Sequence, residues 1–416
     1  MISFIISALK IIFLLGFLIL IHEAGHLLVA KLCKVRVNEF AIGFGPTIWK
    51  KQGKETKYAL RLIPLGGFCS MEGEEERSEA TGSFSQASIP KRIAIVLAGA
   101  TVNIIFGLAV YFILMSSTGN YVTNEIDSTI DGYAAQQIGL QQGDKITQID
   151  GKKIKSKYDL NKVLEKTKGN ELKIQVERNG QTQEYEIQPT EVKNKVTGMY
   201  LDEKCKVVTV DKDSPADKQG IETNDKIIKI NGEEIKEDVN KAIEIIHQKG
   251  LGTMLITVQR GKEEINIELT PDYVSTYYLG VNLKLAENTL INKMIYGGME
   301  TKEFTFSIVD NIKKLFTGKV GVDQMMGPVG ISEAVAKTNG WQEFIYLLAL
   351  ISLSLGITNL LPIPALDGGK ILILIIEAIR RKPMKQETEI NIQMLGFSIL
   401  IALSLYVTYH DILRIF

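Results

Sequence analysis

The stretch IIFLLGFLILIHEAGH, residues 11–26, places two histidines and a glutamate at the end of a long apolar run. Residues four apart share one face of a helix, so His22 and His26 can offer two imidazole nitrogens to one zinc ion. Glu23 can serve as the general base for a water that the zinc activates. The motif therefore predicts zinc-dependent hydrolysis inside a membrane. The alternative is a chance match on a buried helix, which would leave costly polar groups in hydrocarbon.

The hydropathy pattern predicts a multi-pass α-helical membrane protein. The chain has 416 residues and a formal net charge of zero, which gives no basic footprint for nucleic acid. Its three cysteines are too few and too scattered for a disulfide framework or a thiolate zinc site. The N-terminal apolar run lacks a basic start and a small-residue cleavage site, which favours a retained helix over a signal peptide. Four membrane spans are predicted, at about 4–30, 93–115, 341–361 and 392–412.

Two basic loops orient these predicted spans. Eleven lysines and arginines lie within residues 31–92, and Arg380, Arg381, Lys382 and Lys385 lie between the last two spans. Because cytoplasmic loops carry an excess of Lys and Arg, both loops are predicted to be cytoplasmic. Both termini and the charged insert between the second and third spans are then extracytoplasmic. The protein is expected in the cytoplasmic membrane of a bacterial cell, with the active site near the cytoplasmic side.

The insert contains an internal repeat. Residues 135–151 read AQQIGLQQGDKITQIDG and residues 216–232 read ADKQGIETNDKIIKING, so that Asp144 matches Asp225 at an offset of 81 residues. An amphipathic helix and a strand hairpin follow each copy, and this α+β pattern resembles the PDZ domain. The sequence thus predicts two extracytoplasmic PDZ domains, at 118–192 and 193–274. PDZ domains can add a peptide strand to a sheet edge, but a spacer role without a ligand is also possible.

Residues 275–330 are predicted to be a linker and an amphipathic helix. Apolar residues recur at helical spacing within 289–318, among charged residues that make the segment too polar to span a bilayer. An interfacial helix on the outer leaflet is favoured. The alternative is a soluble helix that packs on the second PDZ domain.

A second motif follows the third span and reads NLLPIPALDGG, residues 359–369. Irregular backbone at membrane depth is tolerated where it is buried in protein or lines a cavity, and an aspartate there is a functional candidate. Asp367 is predicted to be the third zinc ligand, since catalytic zinc sites commonly use three protein ligands. Gly368 and Gly369 lack Cβ atoms and would let another helix or the metal approach closely. Alternatively, Asp367 only caps the helix that begins at Gly368.

Together, H-E-x-x-H in the first span and N-x-x-P-x-P-x-L-D-G near the third resemble the site-2 protease family, peptidase family M50. The order of parts, including GPVGI at 327–331, is similar to that of its bacterial RseP/RasP-type members. The membrane protease would then comprise residues 1–117 and 331–416. The resemblance implies a Zn²⁺ cofactor and membrane-associated strands in the 31–92 loop, with Gly43, Phe44 and Gly45 in a membrane-dipping part. It also implies that Asn103 is a polar core position. One departure is Ala98-Gly99-Ala100, where the family often has A-G-P.

The function that this resemblance implies is intramembrane endoproteolysis of single-pass membrane proteins after a first ectodomain cut. Anti-sigma factors and leftover signal peptides both fit as substrates and partners. A role in sporulation also fits. Asn359 is expected to donate to the oxyanion or to hold the substrate backbone. Pairing of an opened substrate with a strand edge near Gly43–Gly45 is also expected. Pro362 and Pro364 complete the predicted substrate-binding set.

Three other functions remain as alternatives to intramembrane proteolysis. A catalytically inactive PDZ membrane scaffold predicts a broken set of ligands. A metal carrier predicts polar groups across all spans, whereas outside the two motifs the spans offer little beyond Lys10, Asn103 and Glu377. Proteolysis of soluble peptides at the membrane surface disagrees with the depth of the first motif.

Overall fold

The computed structural model describes residues 2–74, 76–118, 121–247, 252–318, 325–338 and 340–415. The described helices are α1 (Ile2–Leu32), α2 (Ile89–Thr118), α3 (Ala134–Gln137), α4 (Lys157–Thr167), α5 (Pro215–Lys218), α6 (Val239–His247), α7 (Leu290–Phe316), α8 (Pro328–Ala336), α9 (Trp341–Asn359), α10 (Asp367–Arg380) and α11 (Gln386–Ile415). The described strands are β1 (Val37–Gln52), β2 (Lys57–Met71), β3 (Val122–Thr129), β4 (Lys145–Ile149), β5 (Lys152–Lys153), β6 (Leu172–Arg178), β7 (Gln181–Ile187), β8 (Thr190–Val196), β9 (Met199–Leu201), β10 (Val207–Val210), β11 (Lys226–Ile230), β12 (Glu233–Glu234), β13 (Met254–Arg260), β14 (Glu263–Leu269), β15 (Asp272–Tyr278) and β16 (Val281–Leu285).

The chain forms two compact units. The first, called the membrane unit here, comprises Met1–Thr118 and Lys293–Leu413, and the second, the β-rich unit, comprises Gly119–Asn292 with Arg414–Phe416. Four helices of the membrane unit, α1, α2, α9 and α11, are long and apolar enough to cross a bilayer. The prediction of a multi-pass membrane protein with a β-containing insert is confirmed at this level.

Helix α2 contacts both α1 and α9 through glycines. A Cβ atom on Gly25 of α1 would lie 2.7 Å from the carbonyl oxygen of Ala98, and one on Gly107 would lie 2.9 Å from the amide nitrogen of Leu353 in α9. Small residues let membrane helices approach backbone to backbone, where dispersion contacts stabilise their association. The motif-bearing half of α1 is thereby held tightly against α2.

Strands β1 and β2 fold into a small sheet beside α1. Residues 37–42 pair on one side with 57–60 and on the other with 67–71, while 47–52 pair with 57–61. The sheet therefore has four segments, in the order 47–52, 57–61, 37–42 and 67–71. A Cβ atom on Gly67 would lie 3.5 Å from Cγ of Glu23, so the 67–71 edge passes close to the motif in α1.

Helix α7 covers the predicted amphipathic segment, and part of its apolar stripe packs inside the membrane unit. Phe304 stacks on Tyr111 of α2 with ring centroids 3.8 Å apart, and Ile308 joins the same cluster with Ala349 and Leu353 of α9. Met294, nearer the start of α7, is 56% exposed. The segment is thus a packed helix over its middle turns.

The β-rich unit contains two modules of similar construction. The first has the sheet β16-β3-β4-β6-β7, with β5 on β4, and the second has β12-β11-β13-β14 together with the β9–β10 pair. Each module buries its own apolar cluster, built around Ile146, Ile149 and Ile174 in the first and around Ile227, Ile230 and Ile256 in the second. The repeated motif occupies matching positions in the two modules, since it contains β4 in the first sheet and β11 in the second.

The chain returns to the first module after it has completed the second. Strand β16 pairs with β3, and Leu279, Val281 and Leu283 pack in the first module's apolar cluster. The predicted boundary at residue 274 therefore falls inside β15, and the start of the predicted 275–330 linker is β structure. The physical reason is that a linker would leave these apolar side chains in water, whereas the strand buries them.

Candidate metal centre

Residues far apart in the sequence converge where α1 meets the start of α10. His22 Nε2 and His26 Nε2 lie 3.2 Å apart, and Oδ2 of Asp367 lies 3.3 Å from the first and 3.6 Å from the second. Ligand atoms at zinc–nitrogen and zinc–oxygen bond lengths in a tetrahedral site are about 3.3 Å apart. The three separations match the edges of such a tetrahedron.

The chemistry of this cluster, formed by His22, His26 and Asp367, also fits a cation. Their side chains are 11, 10 and 16% exposed, and Oδ2 of Asp367 has no hydrogen-bond partner among the residues that the structure describes. A buried carboxylate oxygen without a donor is costly, and buried charges are normally paired or coordinate metals. A divalent cation between the three ligand atoms would remove that cost.

His26 is oriented by the backbone of α2. Its Nδ1 lies 2.9 Å from the carbonyl oxygen of Ile95. Because a carbonyl oxygen can accept a hydrogen bond but cannot donate one, Nδ1 carries the proton. The lone pair of the ring is then on Nε2, which faces Asp367. Fixing the tautomer of a ligand histidine through its other nitrogen is typical of metal sites.

His22 is oriented by Asn103, a fully buried residue of α2. The Asn103 carboxamide nitrogen lies 3.4 Å from His22 Nδ1, and Oδ1 is without a hydrogen-bond partner in the described part of the chain. Carboxamide oxygen and nitrogen are assigned by the hydrogen bonds they can make. With the two atoms exchanged, Oδ1 accepts from Nδ1–H, and Nε2 of His22 keeps its lone pair. Asn103 therefore supports the cluster rather than only filling the core.

Gly99 lets α2 pass directly behind the two imidazoles. A Cβ atom at this position would overlap Nε2 of His26 and would lie 2.9 Å from Cε1 of His22. In the sequence, Ala98-Gly99-Ala100 was notable only as a departure from the A-G-P that the family often has. No side chain larger than hydrogen fits there without moving a histidine.

The loop before Asp367 is held in an unusual conformation. Ala365 has a positive φ of 74°, and its amide donates to the side-chain oxygen of Gln393 in α11. Strain of this kind persists when the surrounding structure enforces it. The residue that precedes α10 is Leu366, which makes no side-chain cap, and Asp367 turns toward the histidines. The helix-capping alternative for Asp367 is not what the structure has.

Gly368 and Gly369 serve a different contact from the one expected. A Cβ atom on Gly368 would overlap the carbonyl oxygens of Leu360 and Leu361, and one on Gly369 would overlap that of Ile363. The close approach is thus made by the preceding loop, whose chain folds back over the first turn of α10. None of the three nearest atoms at either position belongs to another helix or to a candidate metal ligand.

A cavity of about 880 Å³ opens over the cluster, and Glu23 and Asn359 line it with the three candidate ligands. From the small sheet, the lining residues are Phe68, Cys69, Ser70 and Met71. Gly43, Phe44 and Gly45 lie instead in the bend of that sheet, where Phe44 is 49% exposed, and they do not line the cavity. Pro362 and Pro364 also lie outside the lining, and Pro364 packs against α11 at Gly396.

An ion pair at the cavity was missed by sequence reasoning. Lys370 donates to Glu74 at 2.8 Å, so an ion pair joins α10 to the loop after β2 beside the cluster. The position of Lys370 could have been suspected, since it lies three residues after Asp367 on the same helix face. Glu74 lies in a charged loop that gives no signal. Farther along α10, the buried Glu377 pairs with Arg92 at 3.1 Å, which gives this polar group a structural partner.

Comparison with known proteins adds independent evidence. The profile of "Peptidase family M50" matches residues 10–403. The "Regulator of sigma-W protease RasP" of Bacillus subtilis is 30% identical in an alignment that covers 99% of this chain and 100% of that protein. The "Zinc metalloprotease RasP" of Bacillus licheniformis is 30% identical, covering 99% of both chains. The "Regulator of sigma E protease" of Haemophilus influenzae is 29% identical, covering 99% of this chain and 100% of that protein.

Proposed function

The chain belongs to peptidase family M50 and is a zinc metalloprotease, and we propose that His22, His26 and Asp367 hold its zinc and that Glu23 is its general base. The observation that carries this proposal is the match between the three ligand-atom separations and a tetrahedral site. Because His22 and His26 lie on α1, one of the four helices that are long and apolar enough to cross a bilayer, the reaction is cleavage of peptide bonds within the membrane. This is the intramembrane endopeptidase activity that the sequence predicts.

Each protein group has a distinct part in the reaction. Zinc held by these residues would act as a Lewis acid on the scissile carbonyl and would make water acidic enough to be deprotonated near neutral pH. Glu23, one residue after His22, accepts the proton from the attacking water and returns it to the leaving nitrogen. Asn359 lines the same cavity and can donate its carboxamide N–H to the substrate backbone or to the developing oxyanion.

A substrate helix must open before it can be cut, since its carbonyls are engaged in i→i−4 hydrogen bonds. Lipid cannot satisfy the freed backbone groups, but a strand edge can. The sheet segment 67–71 supports this role better than Gly43–Gly45, because Phe68 to Met71 line the cavity and that segment pairs on one side only, with 37–42, among the described residues. Helix-weakening residues such as Gly, Ser, Asn or Pro should favour cleavage.

The substrates are proposed to be single-pass membrane proteins already cut on the outside. The names of the relatives, regulators of the sigma E and sigma W factors, support anti-sigma factors as the substrate class, with remnant signal peptides as the second. The positive-inside rule supports extracytoplasmic termini and insert, and an active site toward the cytoplasmic side. The two modules of the β-rich unit are proposed to be PDZ domains that filter substrates by size or bind their new carboxyl termini.

The test is cleavage of a single-pass reporter that lacks its ectodomain, co-expressed with the full chain. Wild-type membranes should release a fragment whose new terminus, mapped by mass spectrometry, lies within the reporter's membrane segment. Glu23→Gln should abolish release and retain zinc, whereas His22→Ala should lose both, since only the second change removes a ligand. Cleavage at the normal rate by Glu23→Gln would refute the assignment of the base.

The insert can be tested with the same reporter. Deletion of residues 122–285, from β3 to β16, should allow cleavage of reporters with bulky ectodomains if the modules act as a size filter. The same deletion should slow cleavage of trimmed reporters if the modules bind substrate. Unchanged rates for both reporter types would contradict either role.

A further inference from the structure

Helix α8 is held at its two ends by charged side chains from two other membrane helices. At its start, Asp411 of α11 accepts hydrogen bonds from the amide of Gly327 at 3.2 Å and from that of Gly330 at 2.7 Å. At its far end, Lys10 of α1 donates to the carbonyl and hydroxyl oxygens of Thr338, at 3.2 and 3.0 Å. An anion at the N-terminus and a cation at the C-terminus are the arrangement that the helix dipole favours.

The sequence around the first contact is built for it. Asp411 is only 2% exposed, and a Cβ atom on Gly327 or Gly330 would lie 2.7 or 2.8 Å from one of its carboxylate oxygens. Pro328 occupies the first helical position, where its missing N–H costs no hydrogen bond. The GPVGI motif, which the proposed reaction does not use, is therefore explained as the receptor for a buried carboxylate.

Apolar packing completes the attachment of α8 to α1. Val335 is fully buried and shares a cluster with Leu14 and Leu18 of α1. With nine residues, α8 is about 13 Å long, enough to join two helices across the membrane unit. It forms a strut whose ends are fixed to α11 and to α1.

These two helices carry or support all three candidate zinc ligands. Helix α1 bears His22 and His26. Helix α11 supports the loop that ends at Asp367, through the hydrogen bond from Ala365 to Gln393 and through the packing of Gly396 on Pro364. Any change in the distance between α1 and α11 would therefore change the distance between the histidines and the aspartate.

We propose that Asp411 and Lys10 are positioning residues of the zinc site, which fix the Asp367 side of the site against the histidine side through the α8 strut. This inference rests on the proposed zinc ligands. Neither residue touches the reacting atoms. Their effect should appear in how firmly zinc is held, because a ligand set that can spread apart loses metal more readily.

The test measures the rate at which the full-length protein in detergent micelles loses zinc to an excess of a chromogenic chelator. Asp411→Ala should speed zinc loss about tenfold, the lower end of the effects seen when supporting residues of metal sites are removed. Asp411→Asn should lose zinc at a rate between those of the wild type and Asp411→Ala, because its single amide oxygen can accept one of the two N–H bonds. Gly330→Ala should resemble Asp411→Ala, since its methyl group displaces the carboxylate.

Phe304→Leu is the matched control. It removes the ring stack between α7 and α2, whose apolar cluster is separate from the cluster that joins α8 to α1. It should lower the thermal unfolding temperature as Asp411→Ala does and leave the rate of zinc loss unchanged. Asp411→Asn and Gly330→Ala decide the matter if Asp411→Ala fails to fold.

The possible outcomes separate this proposal from the proposed function. Wild-type rates of zinc loss in the Asp411 and Gly330 variants would overturn the positioning role and leave the zinc ligands intact. Equal acceleration by Phe304→Leu would also overturn it, by showing that general loosening of the helices is enough. Wild-type protein that holds no zinc would refute the proposed ligands, and with them this inference.

Discussion

Two aspartates with buried carboxylate oxygens, one in each unit, have opposite surroundings. Asp144 in the β-rich unit is 1% exposed and accepts from Nε and Nη2 of Arg178 at 2.6 and 2.7 Å and from the amide of Gln141 at 2.9 Å. Asp367 in the membrane unit faces two imidazoles, and its inner oxygen has no hydrogen-bond partner in the described residues. A satisfied carboxylate stabilises a fold, whereas an unsatisfied one among nitrogen ligands fits a cation.

The repeat supports this reading of Asp144. Asp225, its counterpart in the second module, receives Nε and Nη2 of Arg260 at 2.7 and 2.8 Å. The arginine also donates to the carbonyl of Gly220, as Arg178 does to that of Gly139. A contact that recurs with the same atoms in both modules is part of how each module folds.

The largest expected effect is a difference in zinc affinity between substitutions of the two aspartates. Asp367→Asn should weaken zinc binding by more than 100-fold, since removal of a direct ligand exceeds the roughly 10- to 100-fold loss for supporting residues. Asp144→Asn should leave zinc binding unchanged, because its carboxylate belongs to the other unit's fold. Competition against a chelator of known affinity measures both, and equal affinities in the two variants would erase the distinction.

The next effect should appear in the stability of the β-rich unit. Arg178→Ala leaves Asp144 buried without its cation, which should cost about 3 kcal/mol of unfolding free energy. Zinc affinity should remain at the wild-type value. Hydrogen exchange of the peptide that contains β4 measures the unfolding free energy. Peptides of α2 in the same sample serve as the internal reference.

Lys173→Ala provides the control for that loss of charge. Lys173 and Glu186 form an ion pair with side chains 76 and 63% exposed, and pairs of this kind contribute little. If the two substitutions changed exchange at β4 equally, the Asp144–Arg178 pair would not be the source of the stability.

A third effect concerns the space behind the histidines. Gly99→Ala should weaken zinc binding about 10- to 100-fold, because its methyl group must displace the imidazole of His26. Gly107→Ala introduces a similar overlap two turns along α2, against Leu353, and should lower thermal stability without this loss of affinity. Chelator competition on both variants tests the pair, and matching losses would assign the effect to helix packing alone.

Much of this comparison could be predicted from the sequence, because both aspartates lie in recognisable patterns. The H-E-x-x-H spacing and the break in the apolar run at 359–369 identified the three candidate ligands, and the offset repeat identified the two modules. Local periodicity carries this information, since it reflects which residues share a face or a turn.

The supporting contacts could not be predicted, because they depend on which helices meet. Asn103 and Gly99 gain their roles only when α2 crosses α1 at the histidines, and the Lys370–Glu74 pair joins segments almost three hundred residues apart. The return of β16 to the first module was missed for the same reason. Its strand pattern is visible in the sequence, but its partner β3 lies more than 150 residues earlier.

The smallest effect is a difference in the sign of a pH dependence. Burial alone would raise the pKa of Asp144, but the hydrogen bonds and charge of Arg178, with the Gln141 amide, outweigh it and hold this pKa below its usual value. Ionised Asp144 should therefore stabilise the wild-type β-rich unit at neutral pH. This stabilisation should be lost as the pH falls below about 4, the ordinary range of the Asp pKa. In Arg178→Ala only burial and the Gln141 amide remain, so the pKa should rise and mild acid should stabilise the unit relative to neutral pH. Exchange at β4, corrected for the intrinsic pH dependence, should thus slow on acidification in the variant and not in the wild type, and parallel slopes would mean that Arg178 does not set the ionisation of Asp144.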